Sequence, residues 1–356
     1  MLIYLFRSAN LSNDYFTNRQ DRYHIFKSKQ ITDYYASIHD AVSSISFDVQ
    51  PTTEPSGYSM SWPTTTSSPS PLEDAPRYID HAAKTLGPLI APKENLQTQP
   101  ARNSAHTTIV YPILQFTPLL PADREEDSSS SAAKSTELPA LTQILTTLRS
   151  PPFISSRITF TAGYFNPPPN LVALLLSSRF SHLDVIGASP EANGFYGSKG
   201  VSGMLPAAYT LLAKRFLQSV EAKGLGTRTR ILEWKRGVVD EPGGWTYHAK
   251  GIWVTLTNTA STSTTEKTRE GEVHGPSITV IGSSNYTTRA HTLDLEANAL
   301  IITADPRLQK KLKAEEEWLK EDARAVELED FRQTKRRVSL WVRVSMWIVT
   351  AVGGAL

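Results

Sequence analysis

The residues best suited to chemistry lie in the second half of the chain, in Trp245-Thr246-Tyr247-His248-Ala249-Lys250-Gly251. Side chains alternate along a β-strand, so we expect His248 and Lys250 on one face, where an imidazole and an ammonium share a pocket. An imidazole can attack phosphorus, and an ammonium can stabilise the non-bridging oxygens of a phosphodiester. The pair therefore indicates phosphoryl-transfer chemistry, although a His-x-Lys tripeptide on its own is more often structural or on the surface.

Further polar residues follow in an order that suits the same pocket. Ser283 and Asn285 lie in Gly282-Ser283-Ser284-Asn285 and are candidate phosphate-binding residues, because both offer neutral donors. Glu296 is the candidate carboxylate that accepts from the second ring nitrogen of His248 and fixes its tautomer. We expect no metal and no cofactor, since lysine supplies the positive charge and the other histidines lack partners at metal-ligand spacing.

A partial copy of this pattern stands at the start of the chain. Ser8-Ala9-Asn10-Leu11-Ser12 parallels Ser283-Ser284-Asn285-Tyr286-Thr287, and Asp21 lies as far beyond Asn10 as Glu296 lies beyond Asn285. Ser8 and Asn10 are therefore further candidate phosphate-binding residues, and Asp21 is the candidate orienting carboxylate of the first half. Chance likeness of two short polar segments is the alternative. Two similar domains that build one pocket would explain the repeat.

The elements that must position these residues alternate between strand and helix. Helical spacing of apolar residues runs from Ile31 to Val42 and from Leu205 to Phe216, and Asp305-Pro306 predicts the capped start of a surface helix. Buried strands are predicted at 157–160, 182–187, 247–257, 278–281 and 297–303, and solvated loops at 51–76, 121–137 and 258–277. This alternation predicts an α/β fold with a mixed sheet.

Composition limits the classes of function. The chain has 356 residues, enough for two domains, and its 37 Lys+Arg and 35 Asp+Glu leave a net charge of +2, so we expect no nucleic-acid partner. It has 0 Cys, which excludes disulfides and thiolate metal sites. The apolar run Leu2 to Phe6 follows Met1 directly, with no transit-peptide pattern, so the chain is expected to begin in mid-domain.

Longer segments of the sequence resemble the phospholipase D superfamily and, within it, the eukaryotic mitochondrial phosphatidylglycerophosphate synthases. The segments that carry the resemblance are 10–23, 162–166, 189–200 and 245–253. Thr255 stands where the superfamily usually has Asp, and in these synthases too the second motif appears without that Asp.

The resemblance implies a phospholipase D-like α/β fold of two similar domains with mixed sheets, the first incomplete, that form one active site. Residues 1–150 would be the remnant of the first domain, 151–330 the second domain with His-x-Lys, and 331–356 a basic and apolar membrane-facing tail. It implies phosphatidyl transfer from CDP-diacylglycerol to sn-glycerol 3-phosphate with release of CMP, for phosphatidylglycerol and cardiolipin synthesis at the mitochondrial inner membrane. His248, Lys250 and Glu296 would be catalytic, through a phosphohistidine intermediate, and a second His would be the general acid.

No His-x-Lys precedes Asn10, so an N-terminally truncated and inactive chain is also expected. Two alternatives stay open: a phospholipase D-type phosphodiesterase, and a non-catalytic homologue that binds lipid or a partner. In the tail, Lys335-Arg336-Arg337 precedes the mostly apolar run Val338 to Leu356. We expect this run to lie in a membrane interface, anchored by Trp341 and Trp347, while a helix packed on the domain is the alternative.

Overall fold

The computed structural model describes residues 4–7, 12–91, 108–120, 135–177, 179–257 and 275–351. The strands are β1 (Tyr4–Arg7), β2 (Arg19–Gln20), β3 (Tyr23–Phe26), β4 (Asp48–Pro51), β5 (Tyr58–Ser61), β6 (Thr108–Gln115), β7 (Arg157–Thr161), β8 (His182–Ala188), β9 (Thr229–Trp234), β10 (Thr246–Tyr247), β11 (Gly251–Thr255), β12 (Ile278–Gly282), β13 (Glu296–Thr303) and β14 (Ala323–Val326). The α-helices are α1 (Asn13–Thr17), α2 (Lys29–Ser43), α3 (Ala75–Ile90), α4 (Glu137–Thr147), α5 (Pro169–Ser177), α6 (Leu205–Ala222), α7 (Thr288–Thr292), α8 (Pro306–Glu321) and α9 (Leu340–Ala351).

One eight-stranded sheet organises the described residues. Its strand order is β14-β9-β8-β7-β11-β12-β13-β6. The pairs β7–β8 and β8–β9 are parallel, and the other neighbours are antiparallel, so the sheet is mixed. Three two-stranded pairings stand outside it: β1 with β3, β4 with β5, and β10 with β2. The last of these joins the start of the chain to the segment just before His248.

Helices cover both faces of the large sheet, because its central strands carry apolar side chains on both faces. Helices α4, α5 and α6 pack on one face, around Phe160, Ile252, Val280 and neighbouring side chains. Helices α2 and α3 cover the β13–β6 side of the other face, and α8 covers the same face around Trp253. Within the described residues, helices therefore cover both faces of the sheet, and the ends of its strands are the place where a site can form.

Most predicted elements are present in the structure. The helices predicted around Ile31 and Leu205 are α2 and α6, and the strands predicted at 157–160, 182–187, 278–281 and 297–303 are β7, β8, β12 and β13. The α8 cap is also confirmed, because the Asp305 side chain accepts a hydrogen bond from the Arg307 amide at 2.9 Å. The predicted α/β class with a mixed sheet is confirmed.

Three predictions on local structure need correction. The single strand expected at 247–257 is interrupted, because β10 ends at Tyr247 and β11 begins at Gly251. The loop expected at 51–76 contains β5 and the first two residues of α3. In the loop expected at 121–137, Glu137 is fully buried at the start of α4, while residues 121–134 lie outside the described residues. The boundary at residue 150 stays a prediction, although β6, which precedes it, is an edge strand of the large sheet.

Candidate active site

The site is built where the start of the chain pairs with the segment before His248. In the parallel β2–β10 pair, Arg19 lies opposite Thr246 and Gln20 opposite Tyr247, and the His248 amide donates to the Gln20 carbonyl at 2.9 Å. The next residue, Asp21, is buried and places its Oδ2 2.9 Å from Nδ1 of His248. Residues 227 positions apart therefore meet at one hydrogen bond.

The Asp21 carboxylate determines which nitrogen of His248 is basic. An ionised carboxylate can only accept a hydrogen bond, so Nδ1 carries the proton and donates it to Asp21. Nε2 then holds the lone pair, and the Tyr15 hydroxyl, 3.2 Å away, donates to it. In this tautomer Nε2 is the nitrogen able to attack an electrophile.

Lys250 lies directly against the imidazole. Its Nζ is 2.8 Å from Nδ1 and 2.9 Å from Nε2 of His248, and it donates to the His248 carbonyl at 3.0 Å. Burial, and then the charge of Lys250, lower the pKa of His248 to about 4, so the imidazole is neutral at neutral pH. Burial also lowers the pKa of Lys250 to about 8, against the opposing effect of Asp21 and Glu296. A neutral imidazole thus lies beside a positively charged ammonium.

Glu296 is close to this group but does not contact His248. The hydroxyl of Ser283 donates to Oε2 of Glu296, and burial raises the pKa of Glu296 to about 7, while Lys250 opposes that rise. From the sequence, Glu296 is the residue predicted to accept from the second nitrogen of His248. In the structure Asp21 takes that place, because the β2–β10 pairing brings it there.

The turn after β12 carries the other predicted phosphate-binding residues. Among the described residues, Oδ1 of Asn285 is buried without a hydrogen-bond partner. The Ser284 amide donates to Oδ1 of Asn298 at 3.3 Å, and the Ser284 hydroxyl accepts from the Tyr286 amide at 3.0 Å. These bonds hold the turn in shape. Ser8 and Asn10 lie outside the described residues.

Sequence reasoning assigned no role to three residues that line the site. Tyr15 bonds His248, Arg19 lies 4.4 Å above the Tyr15 ring and donates to Thr246 Oγ1 at 2.7 Å, and the ring of Tyr164 lies 6.2 Å from that of His248. All three lie inside the segments that carry the family resemblance, which was the available signal.

A cleft of about 540 Å³ opens beside the site. Tyr15 and Asp21, both bonded to His248, form part of its wall, together with Arg19, Trp245 and Trp318. Among the described residues, no group of three or more His, Cys, Asp or Glu side chains is arranged to hold a metal ion.

Glu137 lies behind the turn and was missed because its local sequence predicts a loop. Its carboxyl is fully buried next to the side chains of Ser284 and Asn298, yet neither oxygen has a hydrogen bond of good geometry within the described residues. Burial raises the pKa of Glu137 to about 8, helped by the nearby charge of Glu296 and opposed by Ser284 and Asn298. At neutral pH the group is therefore mainly a neutral acid.

Comparisons with known proteins place this geometry in context. No protein-family model matches the chain. The chain is 42% identical over 339 residues to the CDP-diacylglycerol–glycerol-3-phosphate 3-phosphatidyltransferase of Saccharomyces pastorianus, covering 95% of this chain and 61% of that protein. It is 30% identical over 352 residues to the human protein of that name, described as mitochondrial, covering 94% of this chain and 56% of the relative. The chain thus spans somewhat more than half the length of these relatives.

A solved structure shares the fold. The crystal structure of phosphatidylserine synthase from Haemophilus influenzae aligns with a TM-score of 0.65 at 17% identity, over 99% of this chain and 67% of that one. At this identity the likeness concerns the fold alone, and it agrees with the predicted α/β fold with a mixed sheet. The division into two similar domains stays a prediction.

Glu137→Gln tests the buried acid. Folded Glu137 keeps its proton up to a pKa of about 8, whereas the unfolded chain releases it near the ordinary value of 4.5. Glu137 therefore costs no stability below pH 4.5, and its cost increases as pH rises to about 8. We expect the advantage of the glutamine variant in free energy of unfolding, measured by urea denaturation, to increase over that interval and then level off. Glu317→Gln, at an exposed site, is the control, and a difference independent of pH would contradict the prediction.

Proposed function

This chain is a homologue of the CDP-diacylglycerol–glycerol-3-phosphate 3-phosphatidyltransferases over nearly its whole length, and we propose that its protein transfers a phosphatidyl group from CDP-diacylglycerol to sn-glycerol 3-phosphate. One observation carries the proposal beyond homology. Asp21 accepts a hydrogen bond from Nδ1 of a neutral His248, so that the lone pair lies on Nε2. This nitrogen can act as a nucleophile beside the Lys250 ammonium once the substrate phosphorus takes the place of the Tyr15 hydroxyl.

The first step forms a covalent intermediate. Nε2 of His248 attacks the phosphorus that carries the diacylglycerol, a P–N bond forms, and the P–O bond to CMP breaks, so CMP leaves with the bonding electron pair. Lys250 stabilises the negative charge on the non-bridging oxygens, and the side-chain amide of Asn285 is the proposed neutral donor to the same oxygens. Ser283 can join it only after its hydroxyl leaves Glu296, to which it donates in the structure. Asp21 stabilises the positive charge that develops on the imidazole.

The second step returns His248 to its starting state. A hydroxyl of glycerol 3-phosphate attacks the same phosphorus, a P–O bond forms, and the P–N bond breaks to give phosphatidylglycerophosphate. The resemblance to the phospholipase D superfamily assigns the proton transfers at the leaving and accepting oxygens to a second histidine. The product class places the reaction in phosphatidylglycerol and cardiolipin synthesis. A location at the mitochondrial inner membrane is proposed from the human relative, which is named as mitochondrial.

Contact with a membrane is proposed through α9. Val342 and Met346 on this helix pack against Ala208 and Leu211 of α6. Its other side leaves Trp341 79% and Trp347 70% exposed, next to exposed Leu340 and Ile348. None of the helices in the described part of the chain is long and apolar enough to span a membrane. A helix that packs by one side and exposes tryptophan on the other suits a position in the lipid interface.

His248→Ala tests the proposed chemistry in the protein that carries this chain. We expect CMP release from CDP-diacylglycerol to fall by roughly a thousandfold or more, because the nucleophile is lost. Release should depend on glycerol 3-phosphate, and mass spectrometry of the acid-labile adduct should place the phosphatidyl group on His248. Lys199→Ala, at an exposed lysine, is the control. Near-normal turnover in the alanine variant, or an equal rate with water as the only acceptor, would contradict the proposal.

Chelation tests the source of positive charge. Because Lys250 supplies the charge that a divalent cation supplies in metal-dependent phosphoryl transfer, we expect EDTA to leave CMP release unchanged. Loss of activity that only a divalent ion restores would argue against direct attack by His248.

Trp341→Ser/Trp347→Ser tests the tail. Loss of two exposed anchors should weaken sedimentation with cardiolipin-containing vesicles by about tenfold, since binding follows the apolar area inserted. Met60→Ser, at a residue 62% exposed on β5, is the matched control. Unchanged sedimentation of the double variant would assign α9 to packing alone.

A further inference from the structure

Arg22, the residue after Asp21, is the most completely bonded cation near the site. Its side chain is 0% exposed. Nε donates to Oε1 of Glu315 at 3.0 Å, and Nη2 donates to Oε2 of Glu315 at 2.9 Å and to Thr279 Oγ1 at 3.1 Å. Nη1 donates to the carbonyls of Lys250 at 3.1 Å and Val280 at 2.7 Å. One guanidinium thus links the start of the chain to Lys250, just before β11, and to β12 and α8.

The surroundings of Arg22 are shaped to hold it. Its guanidinium lies 3.9 Å above the Trp253 ring, whose Nε1 donates to Glu315 at 3.1 Å. Gly251 makes the necessary room: its φ is +152°, and a Cβ there would lie 1.8 Å from Nη1 of Arg22. Burial alone would raise the pKa of Glu315, but Arg22 and His24 beside it hold that pKa well below its usual range. Arg22 and Glu315 therefore form an ionised pair.

Among the described residues, the strand pairings around Asp21 end on either side of it. The β2–β10 ladder ends at the Gln20–Tyr247 pair, and β3, which begins at Tyr23, pairs with β1 instead of the large sheet. Asp21 and Arg22 form the link between these two pairings. Within it, the Asp21 Oδ1 accepts from the Arg22 amide at 2.8 Å, so the position of Arg22 bears directly on the orientation of the carboxylate.

We propose that Arg22 and Glu315 are a positioning pair for His248: they hold the Asp21 carboxylate on Nδ1 and hold the backbone that carries Lys250. This positioning role deepens the proposed function. Only its expected effect on kcat rests on the proposed function. A carboxylate displaced by about 1 Å no longer fixes the tautomer, and a displacement of that size can cost about a hundredfold in rate. Arginine suits this place because one planar group reaches all five acceptors, which the ammonium of lysine cannot do.

Arg22→Lys tests the pair without requiring turnover. The low-field Nδ1–H proton resonance of His248 would be assigned by its loss in His248→Asn. We expect this resonance to disappear both in Asp21→Asn, which removes the carboxylate, and in Arg22→Lys. Arg336→Lys is the matched control, because Arg336 forms a buried two-bond pair with Glu233, with both distances 2.6 Å, that does not involve the site. It should lower the melting temperature and keep the resonance. A resonance retained in folded Arg22→Lys would overturn the proposal.

Kinetics then separate positioning from general stability. Arg22→Lys should lower kcat about a hundredfold with KM changed much less, and it should add little to Asp21→Asn in the double variant, because both changes remove the same interaction. Full additivity of the two effects would overturn the proposal.

If Arg22→Lys does not fold, two variants that each remove a single partner of Arg22 replace it. Glu315→Gln should weaken the His248 resonance more than Thr279→Val does. An unchanged resonance in both variants would overturn the proposal. Absence of phosphatidyl transfer in every form, with the resonance pattern as expected, would count against the proposed function alone.

Discussion

The hydrogen bond between Asp21 and His248 is the interaction on which the rest of the site depends. It sets the tautomer of the imidazole, and its two residues come from distant parts of the chain. Its existence requires the short β2–β10 pairing, which in turn requires that β10 stop at Tyr247 and leave the His248 amide to bond Gln20. Bringing together residues so far apart costs loop-closure entropy, so we expect this contact to form after the large sheet that carries β11.

The charges around this bond are balanced by burial. His248 is neutral because burial and the adjacent Lys250 both disfavour a second positive charge, while Asp21 and Glu296 help Lys250 to retain its proton. An anionic phosphate in this pocket would raise the pKa of both groups, since opposite charge favours the protonated form. Because the pKa of His248 is about 4, the imidazole is in the neutral form that attacks phosphorus. Lys250 becomes more firmly protonated once the substrate is bound.

The sequence predicted the elements with clear periodicity and the residues with distinctive chemistry. Helices α2, α6 and α8 follow from apolar spacing and capping, and His248, Lys250 and Asp21 were all named as site residues. What failed was pairing: nothing in the sequence says that Asp21 and not Glu296 faces His248, because that depends on which strands meet. Glu137 was missed because the residues before it are polar and only tertiary packing buries it. Arg22 was unassigned because its acceptors include backbone carbonyls, which carry no sequence signal.

The architecture also explains why the site lies at one end of the large sheet. Strands β11, β12 and β13 are successive antiparallel neighbours. The start of β11, the end of β12 and the start of β13 therefore lie at the same end of the sheet. His248 and Lys250 directly precede β11, Ser283 directly follows β12, and Glu296 begins β13. An uninterrupted strand through His248 would have turned these side chains toward the helices that cover the faces of the sheet. The break between β10 and β11 therefore keeps the imidazole and the ammonium at the end of these strands, together with Ser283 and Glu296 and next to the cleft that Tyr15 and Asp21 line.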